Sequence, residues 1–249
     1  MSYIETANTL ADVQRLLDRC IEEARAENTA EGYFPLIYSW ETKDIAKAAD
    51  DGLFAAPDEL RRMIVVFANR YFTARARFRA GETTDKAWTL AFRAARSSPA
   101  LVVQHILLAM NAHINVDLAA ATAETGLPWP DYSKVDVILG NGVRNIQGRL
   151  NRTTIVLRAL DLFGGDFDEM FTIYSLKAAR RYAFDMARRM RDAPTDQRSS
   201  LIAESDSCAL GFGQLLLNPP LRDRVLLGAL RLFERNISPR DFMGLLERV

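Results

Sequence analysis

The stretch ALVVQHILLAMNAHINVDLAAAT, residues 100–122, is the most apolar part of this chain of 249 residues. Its first eleven residues are mostly aliphatic, and polar side chains recur from Asn111 to Asp117. A membrane span needs about 20 apolar residues, so the apolar part of this stretch is too short for one. We expect instead a buried central helix. Its polar side chains need partners, because an unpaired buried polar group costs ~1–3 kcal/mol.

The segments on both sides of this helix repeat apolar residues every three or four positions, which is typical of amphipathic helices. Thr9 and Asp12 are placed to form a capping box at the start of the first helix. One or two helices are expected in residues 131–160, with an interruption near Gly140–Gly142, and Gly126–Pro130 is expected to be a loop. The predicted helices cover residues 10–26, 30–49, 57–79, 84–96, 98–122, 131–160, 167–191, 195–217, 221–235 and 238–248. Because no convincing strand is present, we predict one all-α domain over residues 1–249, with about ten helices around the central helix.

The composition is that of an ordinary globular protein, with 49% apolar and 26% charged residues. Its 32 basic and 32 acidic side chains balance, which argues against a nucleic-acid partner. No secretory signal is visible, and the two cysteines, Cys20 and Cys208, lie on apolar stripes and are expected in the core. We therefore expect a cytoplasmic protein with no membrane partner. A homodimer is an open option through Trp129, which is expected in an exposed loop.

The two histidines of the chain both lie in the central helix. His113 and Asp117 are one turn apart, so the carboxylate can fix the tautomer of the imidazole. This pair is a minimal acid–base dyad, and it suits a structural hydrogen-bond network equally well. His105 is a further candidate for catalysis, with a role as a core histidine as its alternative.

Common cofactor and metal motifs are absent from the sequence, so no cofactor is predicted. His105 and His113 are eight residues apart, which separates their backbones by roughly 12 Å along the helix axis and prevents them from sharing a zinc ion. No metal is predicted. If one were bound, His113 and Asp117 would be two of its ligands, and another helix would have to supply the rest.

Five further residues are predicted to bind the substrate around the central helix. Arg70 shares a helix face with apolar residues, so its charge needs a carboxylate or an anionic ligand. Asn111 and Asn115 form a second one-turn pair on another face, where helix packing is the alternative role. Tyr38 and Asp136 come from other helices and would complete the wall of a cavity.

The segment MNAHINVDL, residues 110–118, with the preceding Gln104 and His105, resembles the signature of domain-of-unknown-function family 5995. Less specific matches extend this resemblance over about residues 30–190. They are GYFPLIY at 32–38, FANRY at 67–71, WTLAF at 88–92, DYSKVD at 131–136 and SLKAAR at 175–180. The resemblance implies a helical, soluble protein and names no reaction. The family often has a glycine where this chain has Ala109.

The function predicted from these residues is a small-molecule enzyme with cofactor-independent proton-transfer chemistry, such as a cyclisation, elimination or isomerisation, in a biosynthetic pathway. His113 would be the general acid or base, Asp117 would orient it, and Arg70 would contact an anion or oxyanion. Two alternatives stay open. One is a metal-dependent hydrolase, and the other is a non-enzymatic helical binding module.

Overall fold

The computed structural model of this protein describes residues 4–153 and 176–248. These residues form eleven α-helices and no strand. The first six are α1 (Leu10–Glu27), α2 (Tyr33–Asp50), α3 (Pro57–Arg79), α4 (Lys86–Ser97), α5 (Val102–Ala112) and α6 (Ala119–Thr125). The other five are α7 (Trp129–Thr153), α8 (Leu176–Asp192), α9 (Thr195–Leu217), α10 (Leu221–Glu234) and α11 (Pro239–Arg248). The all-α class and the multi-helix arrangement are confirmed.

The predicted central helix is present, and it runs from Val102 to Thr125 without a break. A π-helical segment, His113–Leu118, joins α5 to α6. Helices α2, α4 and α9 pack on α5, and α3, α8 and α9 pack on the π-helical segment. By length and composition this helix could also cross a membrane. That indication is weak, because the core helix of a soluble protein has the same character and 83% of its most apolar window is buried here.

Carboxylates from distant helices cap the two helices that face the centre of the fold. Asp131 accepts hydrogen bonds from the backbone N–H groups of Ala55 and Ala56, just before α3. Asp206 accepts hydrogen bonds from the first two N–H groups of α4, at Lys86 and Ala87. Because unpaired N–H groups at a helix start attract carboxylates, these contacts fix where α3 and α4 begin. The capping box predicted for α1, between Thr9 and Asp12, is also present.

Three local predictions are wrong. Helix α7 passes through residues 140–142 without interruption, because a helical glycine costs only about 1 kcal/mol and packing overrides it. Trp129 is in the first turn of α7, where its ring packs on Tyr132 and Phe184, so it is not in an exposed loop. Cys208 is exposed, because the buried face of α9 runs instead through Ser205, Asp206, Ala209, Gly213 and Leu216. The helical residues predicted between 154 and 175 lie outside the described ranges.

Candidate functional site

A buried carboxylate, Asp117, is the centre of the candidate site. Only 1% of this residue is exposed. Its Oδ2 atom lies 2.9 Å from Nδ1 of His113 and accepts a hydrogen bond of 2.9 Å from Nε1 of Trp88, on α4. Nε of Arg70, on α3, lies 3.4 Å from the other oxygen, Oδ1. The one-turn pairing expected from the sequence is therefore formed, and α4 adds a hydrogen-bond donor to it while α3 adds the positive charge of Arg70.

The backbone beneath this pair is a π-helix, His113–Leu118. Such segments are rare and occur mostly as short insertions in α-helices, frequently at functional sites. Here the π-helical turn carries both members of the dyad. The spacing of apolar residues in the sequence does not predict this π-helical segment, because the residues around it are buried on nearly every side of the helix.

The imidazole of His113 lies in an aromatic cage. It stacks on Phe67 with 3.6 Å between ring centroids, and it contacts Tyr38 and Phe34 edge to face at 4.7 and 5.2 Å. Burial lowers the pKa of His113, and its hydrogen bond to Asp117 opposes that shift only in part. The ring is therefore neutral near pH 7. Since Nδ1 faces a carboxylate, Nδ1 carries the proton and Nε2 carries the lone pair.

Nε2 of His113 is buried and has no hydrogen-bond partner among the described residues. Its ring forms part of the wall of a cavity of about 100 Å³, which we call the His113 cavity. The wall is mainly aliphatic and aromatic, and it includes Phe34, Ile37, Ile45, Met63, Ile64, Phe67, Met110, Ile114, Leu118, Val135, Leu139 and Ile146.

Three other side chains of α2 bring polar atoms to the His113 cavity. The hydroxyl groups of Tyr38 and Thr42 and the Oε2 atom of Glu41 are buried, and the described part of the chain offers them no hydrogen-bond partner. Burial, together with the charge of Asp117, raises the pKa of Tyr38 well above its usual value. The hydroxyl of Tyr38 therefore stays protonated and can donate a hydrogen bond.

A polar cleft of about 410 Å³ lies on the other side of Asp117. Arg70, Arg77 and Asp85 line it, and Asp117 contributes to its wall. The side chain of Arg70 is 28% exposed, so its charge is partly hydrated. Burial, with the charges of Asp117 and Asp206, raises the pKa of Asp85 against the opposing effect of Arg70. Asp117 thus connects a polar cleft to the imidazole that borders the apolar cavity.

The structure does not bring His105 to this site. It lines a different cavity of about 390 Å³, together with Tyr33, Arg96 and Arg231. Burial lowers the pKa of His105 to about 4, although a hydrogen bond with the backbone of Ala100 acts in the opposite direction. The two histidines of the central helix therefore occupy separate environments.

Asn111 and Asn115 are also directed away from the His113 cavity, toward α9. Nδ2 of Asn111 donates a hydrogen bond of 2.7 Å to the carbonyl oxygen of Ala209. Nδ2 of Asn115 donates one of 2.9 Å to Oδ1 of Asn111. Both amides are thus engaged in helix packing. Asp136 lies in α7, and its side chain is outside the part of the chain that the structure describes.

Two residues of the site were missed from the sequence. From the sequence, Trp88 has no predicted role beyond its place in the matched segment 88–92, although a buried indole N–H needs an acceptor. Glu41 has no predicted role at all, although this residue shares a face of α2 with Tyr38 and Ile45. A charged residue on an otherwise apolar helix face was the feature of the sequence that could have identified Glu41. Within the described ranges, no three His, Cys, Asp or Glu side chains lie close enough to hold a metal ion, so the predicted metal alternative finds no third ligand there.

Comparison with known proteins gives one match. A model of a family of unknown function, DUF5995, matches residues 10–219. This agrees with the resemblance seen in residues 110–118, and it extends over most of the chain. No curated protein and no solved structure matches.

Proposed function

This chain belongs to DUF5995, a family of unknown function, and we propose that it is an enzyme that moves a proton on a small uncharged molecule bound in the His113 cavity. His113 is the general base, and Asp117 holds its ring. One observation carries this proposal. The Nδ1 side of the imidazole is fixed by a carboxylate, while the ring lines a cavity and its Nε2 atom is buried without a partner among the described residues.

The arrangement of His113 suits proton abstraction. Its pKa is lowered by burial, so the base form is present at neutral pH. When Nε2 accepts a proton, the charge that forms on the ring lies beside Asp117, which stabilises it. A positioned general base contributes typically 10²–10⁴-fold to a rate.

The buried polar atoms that lack hydrogen-bond partners favour the binding of a ligand in the cavity. A buried donor or acceptor without a partner costs about 1–3 kcal/mol, and the side chains of His113, Tyr38 and Thr42, which each carry such an atom, all line the same cavity. A ligand with one or two polar atoms would satisfy these groups together.

The size and chemistry of the cavity indicate the class of ligand. An apolar cavity of about 150 Å³ accepts benzene, and the His113 cavity is of similar order. Met63 and Met110 are flexible wall residues that can adapt to a somewhat larger ligand. We therefore infer a mostly apolar substrate of one ring or, with movement of these two methionines, of two small fused rings.

The test uses 1,2-benzisoxazole, whose ring opens to 2-hydroxybenzonitrile when a base removes the proton on C3. We expect the protein to open this ring faster than buffer does, and His113→Gln to lose at least 100-fold of that acceleration. His105→Gln is the matched control, because His105 lies in a different cavity, and its rate should stay within twofold of wild type.

Binding measured by NMR separates this proposal from a binding module. If 1,2-benzisoxazole shifts the signals of Phe67 and Tyr38 but the rate equals that of buffer, the protein binds without catalysing and the enzyme proposal is wrong. It is equally wrong if His113→Gln opens the ring as fast as wild type. A compound that neither binds nor reacts would contradict the cavity as a ligand site.

A further inference from the structure

The His113 cavity has a second ionisable group, Glu41, which the proposed function does not use. Glu41 lies three residues beyond Tyr38 on α2, a rise of about 4.5 Å along the helix. The ring of Tyr38 contacts that of His113. His113, from the central helix, and Glu41, from α2, both line the same cavity.

The carboxyl group of Glu41 is placed to be an acid. Its side chain lines the cavity, and its Oε2 atom is buried and has no hydrogen-bond partner within the described residues. Burial is the largest influence on its pKa, the negative charge of Asp44 acts in the same direction, and Arg180 of α8 opposes both. The result is a pKa raised to about 8, so Glu41 carries a proton at pH 7. Arg180 is buried and also lines this cavity, and the other titratable groups in its wall are Tyr38, Tyr132 and His113.

We propose that Glu41 is the acid partner of His113 across this cavity, and that the substrate is a small uncharged carbonyl compound whose oxygen faces Glu41 while an acidic C–H faces Nε2. The reaction class is an isomerisation by proton transfer. This inference rests on the proposed function, and it adds the second catalytic group and the substrate class.

The proton transfers balance without any other reactant. The substrate is a β,γ-unsaturated carbonyl compound. In the first step, Nε2 of His113 takes a proton from the carbon between the carbonyl and the C=C bond, and the C–H electron pair forms the second C=C bond of a dienol. Glu41 gives its proton to the carbonyl oxygen in the same step, and the C=O electron pair forms the O–H bond. In the second step, the imidazolium returns its proton to the far carbon of the dienol, the remaining C=C bond moves next to the carbonyl carbon, and the O–H proton returns to the Glu41 carboxylate. Both groups end in their starting forms.

A neutral acid and a neutral base fit an apolar cavity better than an ion pair would. Separated charges in such surroundings carry a large desolvation cost, and the two pKa shifts keep Glu41 and His113 uncharged at neutral pH. Environments that push the pKa values of two groups apart indicate which is the acid and which is the base.

The test follows the conversion of cyclohex-3-enone to cyclohex-2-enone by ultraviolet absorbance. We expect catalysis by wild type, with a rate that falls as Glu41 ionises near pH 8. Glu41→Gln should lower the rate about 100-fold and remove that alkaline fall. Glu59→Gln is the matched control, since Glu59 is an exposed glutamate of α3, and it should leave both rate and pH profile unchanged.

A second measurement needs no substrate. The side-chain carboxyl carbon of Glu41, assigned in ¹³C NMR by the loss of its signal in Glu41→Gln, should titrate near pH 8. A midpoint in the ordinary range for glutamate, about 4.3, overturns the inference whatever the activity.

The outcomes distinguish this inference from the proposed function. If Glu41→Gln isomerises the enone at the wild-type rate while His113→Gln is inactive, the inference fails and the proposed function stands. The same conclusion follows if wild type opens 1,2-benzisoxazole through His113 but does not isomerise the enone. A wild type that does neither contradicts the proposed function itself.

Discussion

Asp117 is the residue on which the candidate site depends most. Its carboxylate is almost completely buried, and it is compatible with the core only because His113, Trp88 and Arg70 surround it. A hydrogen bond to a charged group contributes ~1.5–3 kcal/mol, so the two bonds to Oδ2 offset much of the cost of burying the charge. The same bonds set the orientation of the imidazole.

The first prediction at this scale concerns Asp117→Asn. A carboxylate only accepts hydrogen bonds and therefore requires a proton on Nδ1 of His113, whereas an amide also donates. We expect the variant to populate the tautomer with the proton on Nε2, and to open 1,2-benzisoxazole about 10²–10⁴-fold more slowly. The ¹⁵N shifts of the His113 ring report the tautomer directly.

Asp85→Asn is the control for this prediction, because Asp85 borders the polar cleft and interacts with Asp117 only through its charge. It should keep the proton on Nδ1. If Asp117→Asn also keeps that tautomer and the full rate, Asp117 does not orient the imidazole.

At the scale of elements, the site depends on how α3 and α4 are held against the central helix. Arg70 is on α3 and Trp88 is on α4, and carboxylates from α7 and α9 cap the starts of these two helices. The interaction is between distant parts of the chain, since Asp206 follows Ala87 by 119 residues. These caps help to place two of the three side chains that contact the carboxylate of Asp117.

We expect Asp206→Ala to lower the free energy of unfolding by ~1–2 kcal/mol, the usual range for the loss of a capping side chain. The two N–H groups at Lys86 and Ala87 lose their acceptor in this variant. Chemical denaturation in urea measures the change. Ser207→Ala is the control, because Ser207 is exposed and bonds only to the carbonyl of Ala203 in its own helix; a loss as large in the control would rule out the cap as the cause.

At the scale of the whole molecule, the buried ionisable groups make stability depend on pH in two directions. Burial depresses the pKa of His105 to about 4, so the unfolded chain binds a proton more readily than the folded one. The stability from neutral His105 is complete above pH 6.5 and is lost as the pH falls toward 4. The effect of Glu41 on stability has the opposite dependence on pH. Its pKa is raised to about 8, so the stability that comes from protonated Glu41 is lost as the pH rises to 8.

His105→Gln tests the acid side of this dependence. A pKa depressed from 6.5 to about 4 corresponds to about 3 kcal/mol between pH 7 and pH 4. The difference in unfolding free energy between wild type and His105→Gln should therefore shift by that amount in favour of the variant over this range. Urea denaturation at several pH values measures it, and a difference that stays constant with pH would show that His105 titrates normally.

The fold was predictable to the extent that it depends on neighbours in the sequence. The capping box at Thr9 and the end of α3 at Arg79 follow from short-range chemistry, and they are present. The interruption predicted at residues 140–142 is wrong, because it rested on local sequence alone. The two glycines disfavour a helix only weakly, and the packing of Ile146 and Leu150 in the same helix outweighs them.

The sequence by itself determined that this protein is helical, that residues 100–122 form its buried centre, and that His113 and Asp117 meet, because an i to i+4 contact needs only one helix. Tertiary structure alone decided the rest of the site. Trp88 and Arg70 approach Asp117 from other helices, and Glu41 lines the His113 cavity from a third. Periodicity tells which face of a helix is buried, but not which neighbour covers it, because that choice depends on packing over the whole chain.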